Sequence, residues 1–229
     1  MKRYLAAMLI TAAVGTANAA DMPTKAPVAP VYAAPFNWTG FYIGAHVGSG
    51  WSTEEWGFAD GGSAVGNFNL NGFLGGGQIG YNWQSGWAVF GVEADASVTD
   101  IKGTGVCFGG DTNCSSKIDA LGTITGRFGG AVDHALVYVK GGGAWAHDKH
   151  TITCCNGFTS SDSKTTWGWT VGAGVEYAFA PNWSGKVEYN FLDFGKDRFT
   201  FEETDPIDIR QTVHTVKFGI NYRFGAARY

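Results

Sequence analysis

The chain has 229 residues, of which 35 are glycine, 15% are aromatic and 16% are charged, and its formal net charge is −4. Glycine is about twice its average abundance without a collagen repeat, which argues against a helical domain, and the aromatic content argues against a disordered chain. The mildly acidic balance lacks the basic patch of a nucleic-acid binder, so no nucleic acid is expected as a partner. The length fits one domain.

The N-terminus has the three parts of a secretion signal. Lys2 and Arg3 provide the charged start, residues 4–14 form a short apolar run, and an A-x-A cleavage site ends at Ala19. A membrane helix is the less favoured interpretation, because a spanning helix needs roughly 20 apolar residues. We therefore predict a signal peptide over residues 1–19 and an exported protein.

Residues 20–38 are rich in proline, which removes backbone donors and disfavours both helix and sheet. We predict a periplasmic tail in this segment, followed by a barrel domain over residues 39–229. The simpler interpretation of the tail is disorder, and the alternative is a docking peptide for peptidoglycan or another partner. The prolines are Pro23, Pro27, Pro30 and Pro35.

The clearest structural signal is the stretch 165–179, in which apolar residues alternate strictly with small or polar ones. Such alternation predicts a β-strand with two different faces. A strand that crosses a bilayer needs about 9–11 residues, and this stretch is long enough. Its apolar face, with aromatic residues at both ends, suits contact with lipid. The apolar set is Trp167, Trp169, Val171, Ala173, Val175, Tyr177 and Phe179.

Seven further stretches share this alternation, or parity, of outward apolar and inward small or polar residues. The sequence therefore predicts an all-β fold: an eight-stranded antiparallel up-and-down transmembrane β-barrel. The connections alternate between tight turns and long loops, which is typical of outer-membrane barrels. Closure into a cylinder removes the unpaired strand edges that hydrocarbon does not tolerate. The predicted strands are 40–51, 72–84, 87–98, 118–131, 135–148, 165–179, 183–194 and 212–224, and the predicted long loops are 52–71, 99–117, 149–164 and 195–211.

Tryptophans flank the predicted strands at both ends, which predicts an aromatic girdle at each membrane surface. Trp83, Trp87 and Trp183 flank the tight turns, and Trp51, Trp145, Trp167 and Trp169 lie at the opposite rim. Some apolar residues break the parity, and we attribute them to bulges or to the membrane interface. These exceptions are Leu74, Val89, Leu121, Leu136, Leu192 and Val213.

The inward faces carry acids and bases in equal number. An eight-stranded barrel is only wide enough for side chains, and buried charges require partners. We therefore predict an ion-pair network in the lumen, with glycines making room around it; the alternative is that several charges lie near the barrel ends and are solvated. The predicted network is Glu93, Asp95, Arg127, Lys140, Glu176, Lys186, Glu188, Lys217 and Arg223, and Asp119 is counted among the inward acids. His46 also points inward and is interpreted as a hydrogen-bonded lumen residue.

Four motifs spread over the mature chain carry a resemblance to a known family. They are NWTGFY at 37–42, TVGAGVEY at 170–177, KVEY at 186–189 and VKFGINYRF at 216–224. The chain resembles the small alphaproteobacterial outer-membrane β-barrel family, the porin-like major surface proteins of Brucella and the rhizobia. The resemblance implies an abundant envelope protein that supports outer-membrane integrity and surface interactions, with no known catalytic residues. Such proteins commonly end on the aromatic residue of the last strand, whereas here the chain continues from Phe224 to Tyr229.

The four cysteines fall in two of the predicted loops. In an exported chain their even number suggests disulfides, and we predict that Cys107 and Cys114 close a short surface loop. The adjacent Cys154 and Cys155 could form a vicinal bridge, pair elsewhere or stay reduced. A zinc site near Cys154 is a weaker alternative, because no C-x-x-C pair is present. We predict no catalytic residue, no metal and no cofactor.

These features favour a non-enzymatic, structural protein of the cell outer membrane. The main alternative is a porin that allows passive diffusion of small solutes. A soluble lipocalin-like binder would need the reverse parity, and an outer-membrane enzyme would need a set of catalytic residues at the rim that the sequence does not show. The expected partners are outer-membrane lipid and lipopolysaccharide, the outer-membrane assembly machinery, and peptidoglycan or a host surface.

Overall fold

The computed structural model describes residues 36–58, 64–107, 112–154, 158–199 and 207–225. These residues form eight β-strands. No helix among them is long and apolar enough to cross a membrane. The strands are β1 Gly40–Phe58, β2 Ala64–Ser85, β3 Ala88–Cys107, β4 Thr112–Val132, β5 Ala135–Cys154, β6 Phe158–Ala180, β7 Trp183–Phe199 and β8 Ile207–Arg223.

Each strand pairs antiparallel with the next along the chain, and β1 also pairs with β8, so the sheet closes into a barrel. The closing seam is continuous from Tyr42, opposite Arg223, to Phe58, opposite Ile207. Closure satisfies the backbone donors and acceptors of both terminal strands without water. The predicted eight-stranded antiparallel barrel is confirmed.

The strands are longer than predicted at one end only. They run for 17 to 23 residues, and their extra length covers most of 52–71, 99–117, 149–164 and 195–211. The prediction of long loops there is therefore wrong for the described parts of these stretches. Near the rim the outward residues are no longer regularly apolar. Strand pairing continues there because it depends on backbone hydrogen bonds, and an outward face beyond the bilayer contacts water.

The opposite end of the barrel, which we call the turn mouth, is closed by three tight turns. Gly86 and Asp133 lie in two of them with φ of +61° and +51°, the left-handed region that glycine and aspartate tolerate best. The third turn lies at Pro181-Asn182. The other end, where the strands extend, is the extended mouth.

The outward face is apolar and exposed, as the parity predicts. Val98 is 74% exposed and Phe73 is 79% exposed, values that are unusual for large apolar side chains unless lipid or a partner covers them. The two aromatic girdles are confirmed for the tryptophans that point outward. These are Trp83, Trp87 and Trp183 near the turn mouth, and Trp51, Trp167 and Trp169 at the other rim.

Candidate functional site

The lumen of the barrel holds a connected set of ion pairs, and Glu93 on β3 lies at its centre. Its Oε1 accepts a hydrogen bond from Lys140 Nζ at 2.8 Å, and its Oε2 accepts one from Lys186 Nζ at 3.0 Å. The hydroxyl of Tyr42 donates to Oε2 at 2.8 Å. Arg127 Nη1 lies 3.5 Å from the same oxygen. Four strands therefore converge on one carboxylate, which is 2% exposed.

Glu176 on β6 forms a second centre nearer the turn mouth. Arg127 Nη2 donates to its Oε2 at 2.9 Å. Its other oxygen accepts hydrogen bonds from Ser184 Oγ at 2.6 Å and from Asn221 Nδ2 at 2.9 Å. Arg223 Nη2 lies 3.7 Å away. Arg127 thus bridges the two centres, since it contacts both Glu93 and Glu176.

Two further carboxylates complete the network. Glu188 on β7 accepts hydrogen bonds from Lys140 Nζ at 2.9 Å and from the hydroxyl of Tyr138 at 2.8 Å. Asp95 on β3 accepts a hydrogen bond from Lys217 Nζ at 2.5 Å and another from Thr123. Each carboxylate of the network therefore has at least two donors. Burying a charge is expensive without such compensation.

The structure brings the nine predicted network residues together, and each is at most 7% exposed. The placement of Asp119 in the lumen is wrong. Its carboxylate lies on the outside, 2.8 Å from Lys117 Nζ, and 38% of its side chain is exposed. A register irregularity between Ile118 and Ala120 shifts the parity of β4 at this point. A different acid, Asp148, is buried in the lumen at 2% exposure, so the buried acids and bases of the described residues are still equal in number.

The predicted network omits two tyrosines that lie in the lumen. Tyr42 and Tyr138 each donate to a network carboxylate, and the guanidinium of Arg127 lies 3.9 Å from the centre of the Tyr138 ring. A Cβ added at Gly174 would lie 2.6 Å from the Tyr138 hydroxyl, and one at Gly80 would collide with Tyr42. The alternation places each tyrosine at an inward position of its strand, but it does not show which carboxylate the hydroxyl contacts.

His46 on β1 lies in the same lumen and is 4% exposed. Its Nδ1 lies 2.6 Å from Gln78 Oε1, and its Nε2 lies 2.7 Å from Ser97 Oγ. Both ring nitrogens therefore have hydrogen-bond partners. The interpretation of His46 as a hydrogen-bonded lumen residue is confirmed.

An apolar plug closes the lumen at the turn mouth. Trp38 is fully buried; its backbone N–H donates to Gln84 Oε1 at 2.7 Å, and its backbone carbonyl accepts a hydrogen bond from Arg223. The predicted tail boundary at 38 therefore needs correction, because the last tail residues belong to the barrel. The residues before 36 lie outside the described part of the chain, and their assignment as signal peptide and tail stays a prediction. The plug consists of Trp38, Val89, Leu136, Tyr138 and Ala178, with Phe36 and Ala131 packed against it.

A second apolar layer lies beyond the network, toward the extended mouth. Ile101 and Ile118 face each other on β3 and β4, and Leu192 and Val213 do so on β7 and β8. The apolar exceptions to the parity are thus lumen residues, and their attribution to bulges or to the membrane interface is wrong. The layer consists of Leu70, Leu74, Ile101, Ile118, Leu121, Leu192 and Val213, each at most 4% exposed.

The cysteine predictions cannot be compared with side-chain positions. The backbones of Cys107 and Cys114 lie in β3 and β4, but their side chains, that of Cys154 and all of Cys155 lie outside the described residues. The disulfide stays a prediction. Within the described residues, no group of three or more His, Cys, Asp or Glu residues could hold a metal ion.

The barrel, its apolar belt and its charged interior together indicate an outer-membrane protein. A family model for the outer membrane protein β-barrel domain matches residues 6–224. The chain belongs to the outer-membrane β-barrel family. This membership confirms the resemblance drawn from the sequence motifs.

Relatives within this barrel family are outer-membrane proteins by name. The 31 kDa outer-membrane immunogenic protein of Brucella melitensis biotype 1 is 34% identical over 242 aligned residues, which cover 98% of the chain and 100% of the relative. The 22 kDa outer membrane protein of Rhizobium leguminosarum bv. viciae is 34% identical over 87% of the chain and 82% of its own length. The protein is therefore located in the outer membrane.

A solved barrel structure supports the fold alone. The outer membrane protein OprG from Pseudomonas aeruginosa superposes with a TM-score of 0.50 at 11% identity, over 82% of this chain and 98% of that one. The barrel family thus accounts for the architecture. The role of this member must be argued from its own lumen and surface.

Proposed function

We propose that the protein is a structural, non-enzymatic component of the outer membrane whose sealed barrel supports envelope integrity and presents its extended mouth to the surroundings. In outer-membrane barrels the short turns are periplasmic and the longer connections face outward. On that convention the plug of Trp38 faces the periplasm. The described ends of the extended strands then project beyond the membrane surface, where they are available for surface interactions.

The observation that carries this proposal is that buried side chains of the described residues occupy successive levels of the lumen. A solute entering from the turn mouth meets the apolar plug, then the ion pairs of Glu176 and Glu93, and then the second apolar layer. Each network carboxylate is held by donors from other strands, so opening a path would leave buried charges without partners. Removing one partner of a buried pair typically costs about 3–5 kcal/mol, which disfavours transient opening.

The porin alternative is tested by the conductance of the purified barrel in planar bilayers. We expect no stable conductance steps from the wild type, measured beside a general-diffusion porin as the positive control. A folding control comes from migration on a denaturing gel, where a folded barrel runs differently before and after boiling. Large, stable steps from a heat-modifiable sample would reject the sealed lumen and support the porin.

The envelope role is tested in cells. Deletion of the gene should increase sensitivity to detergents and to large antibiotics that an intact outer membrane excludes. Complementation with the wild type should restore resistance, although its lumen conducts nothing. If the deletion leaves these sensitivities unchanged but slows uptake of a small nutrient, the structural role is wrong and a transport role takes its place.

A further inference from the structure

Three lysines form a row across the outer wall of the barrel, above the apolar belt. Lys102 on β3 lies directly opposite Lys117 on β4, and Lys117 lies directly opposite Lys149 on β5. We call these three residues the lysine row. The side chains of Lys102 and Lys117 are 64% and 43% exposed, and Lys149 is also exposed. The lysine side chains point away from the lumen, because in each strand the residue adjacent to the lysine is buried, and neighbouring side chains of a strand point to opposite faces. These buried neighbours are Ile101, Ile118 and Asp148.

The lysine row lies at the height expected for lipid headgroups. On β3 the outward residues from Phe90 to Val98 are apolar, and about 9–11 residues suffice for a tilted strand to cross a bilayer. Lys102 follows Val98 by four residues, or about 13 Å along the strand. On β5 the row lies four residues beyond Trp145, which is paired with Trp167 of the aromatic girdle. Tryptophan girdles mark the membrane–water boundary.

The row is electrostatically incomplete. Like charges directly opposite each other in a sheet destabilise the pairing. The protein supplies two carboxylates: Asp100 lies 3.1 Å from Lys102 Nζ, and Asp119 lies 2.8 Å from Lys117 Nζ. Among the described residues no carboxylate forms an ion pair with Lys149. The patch therefore keeps a net positive charge, at a level where the membrane contains anionic groups.

We propose that the lysine row is a docking surface for the phosphate groups of lipopolysaccharide, the phosphorylated glycolipid of the outer leaflet. The inference rests on the proposed outer-membrane role and adds a partner and a position to it. Phosphate oxygens can accept hydrogen bonds from several ammonium groups at once, and lysine side chains near an anionic membrane surface are attracted to it. The phosphates of the headgroup would neutralise the remaining positive charge of the lysine row, while the acyl chains of the same lipid lie along the apolar belt below.

The test measures binding of fluorescent lipid A that carries both phosphates to the full-length barrel in phosphocholine nanodiscs. The variant Lys102→Gln/Lys117→Gln/Lys149→Gln should bind about tenfold more weakly or worse. The variant Asp100→Asn/Asp119→Asn should bind more tightly, because it removes the competing carboxylates. The matched control is Arg210→Gln, which removes a 51%-exposed cation paired with Asp193 on the opposite wall and should leave the affinity unchanged.

Lipid A with its phosphates removed should lose the dependence on the row, and excess inorganic phosphate should not displace the intact lipid. Equal affinity of the wild type and the triple lysine variant, or full displacement by inorganic phosphate, would overturn the proposal. If the triple lysine variant does not show heat-modifiable migration, it has not folded, and the aspartate variant then tests the proposal. Unchanged lipid A affinity of the aspartate variant would also contradict a site at the lysine row. Conductance is unaffected by these changes, so a failure here is distinguishable from failure of the sealed-lumen function.

Discussion

The barrel has two groups of charges that differ in surroundings rather than in chemistry. In the lumen, Lys140 and Glu93 lie 2.8 Å apart with side chains at most 1% exposed. On the outer wall, Lys117 and Asp119 lie at the same distance of 2.8 Å, with side chains 43% and 38% exposed. Because water screens the outer pair and not the inner one, equal geometry gives unequal energy. The comparison indicates that the inner charges are costly to separate from their partners, whereas the outer charges can leave theirs at little cost.

The largest effect is expected from breaking the lumen network at its centre. Glu93→Gln keeps the shape of the side chain but removes the carboxylate that Lys140 and Lys186 share, so that both lysines depend on Glu188. We expect a loss of about 3–5 kcal/mol in the free energy of unfolding, because the two ammonium groups stay buried. Equilibrium unfolding in urea from lipid vesicles, followed by tryptophan fluorescence and by heat-modifiable migration, measures the loss.

The matched control for this variant is Asp119→Asn, which removes a carboxylate from the exposed pair by the same change of one atom. Its effect should stay below about 1 kcal/mol. If the two substitutions destabilise the barrel equally, burial is not what separates the two groups of charges.

A smaller loss is expected when a charge is placed on the wall that faces lipid. Val175 precedes Glu176 on β6, and its side chain is 50% exposed on the outer face. Val175→Lys should destabilise the barrel by about 2–4 kcal/mol in vesicles, because the ammonium group enters hydrocarbon. The control Val175→Leu should be nearly neutral. A neutral lysine variant would mean that this position faces water.

The smallest effect concerns the outer pair itself. A double-mutant cycle of Lys117→Gln and Asp119→Asn should give a coupling energy of roughly 0.2–1 kcal/mol that decreases as salt is added. The same cycle for Lys140→Gln and Glu93→Gln should give a larger coupling that changes little with salt. A salt-sensitive inner cycle would show that the lumen contains mobile water and ions.

The alternation of apolar and polar residues made the barrel fold and most members of the lumen network predictable from the sequence. Val175 and Glu176 are assigned to opposite faces by parity alone, and a chain that buries charge in a narrow barrel must pair it, so the network members follow from the inward positions. The partners within the network do not follow. Arg127 contacts carboxylates on β3 and β6, and such contacts depend on barrel stagger, which parity does not define.

The errors have local physical causes. Asp119 follows the parity of its strand in the sequence, but the irregularity after Ile118 places it outside, and no single residue there signals a bulge. Trp38 was assigned to the tail because prolines precede it, although its burial depends on a lumen assembled from distant strands. The outer strand extensions were missed because β-pairing in water leaves no apolar pattern on the outward face.

The central claim is that neighbouring residues of each strand face two separate environments, lipid outside and a sealed, charged core inside. Thiol labelling at two adjacent positions of β4 tests it most directly: Ile124, which is 67% exposed, and Thr125, which is 2% exposed. Each is changed to cysteine in a chain whose four native cysteines are replaced by alanine. In the folded barrel, Ile124→Cys should react with a membrane-soluble maleimide, and Thr125→Cys should react with neither that reagent nor a charged, water-soluble one until the barrel is unfolded. Rapid reaction of folded Thr125→Cys with the water-soluble reagent would contradict the sealed lumen.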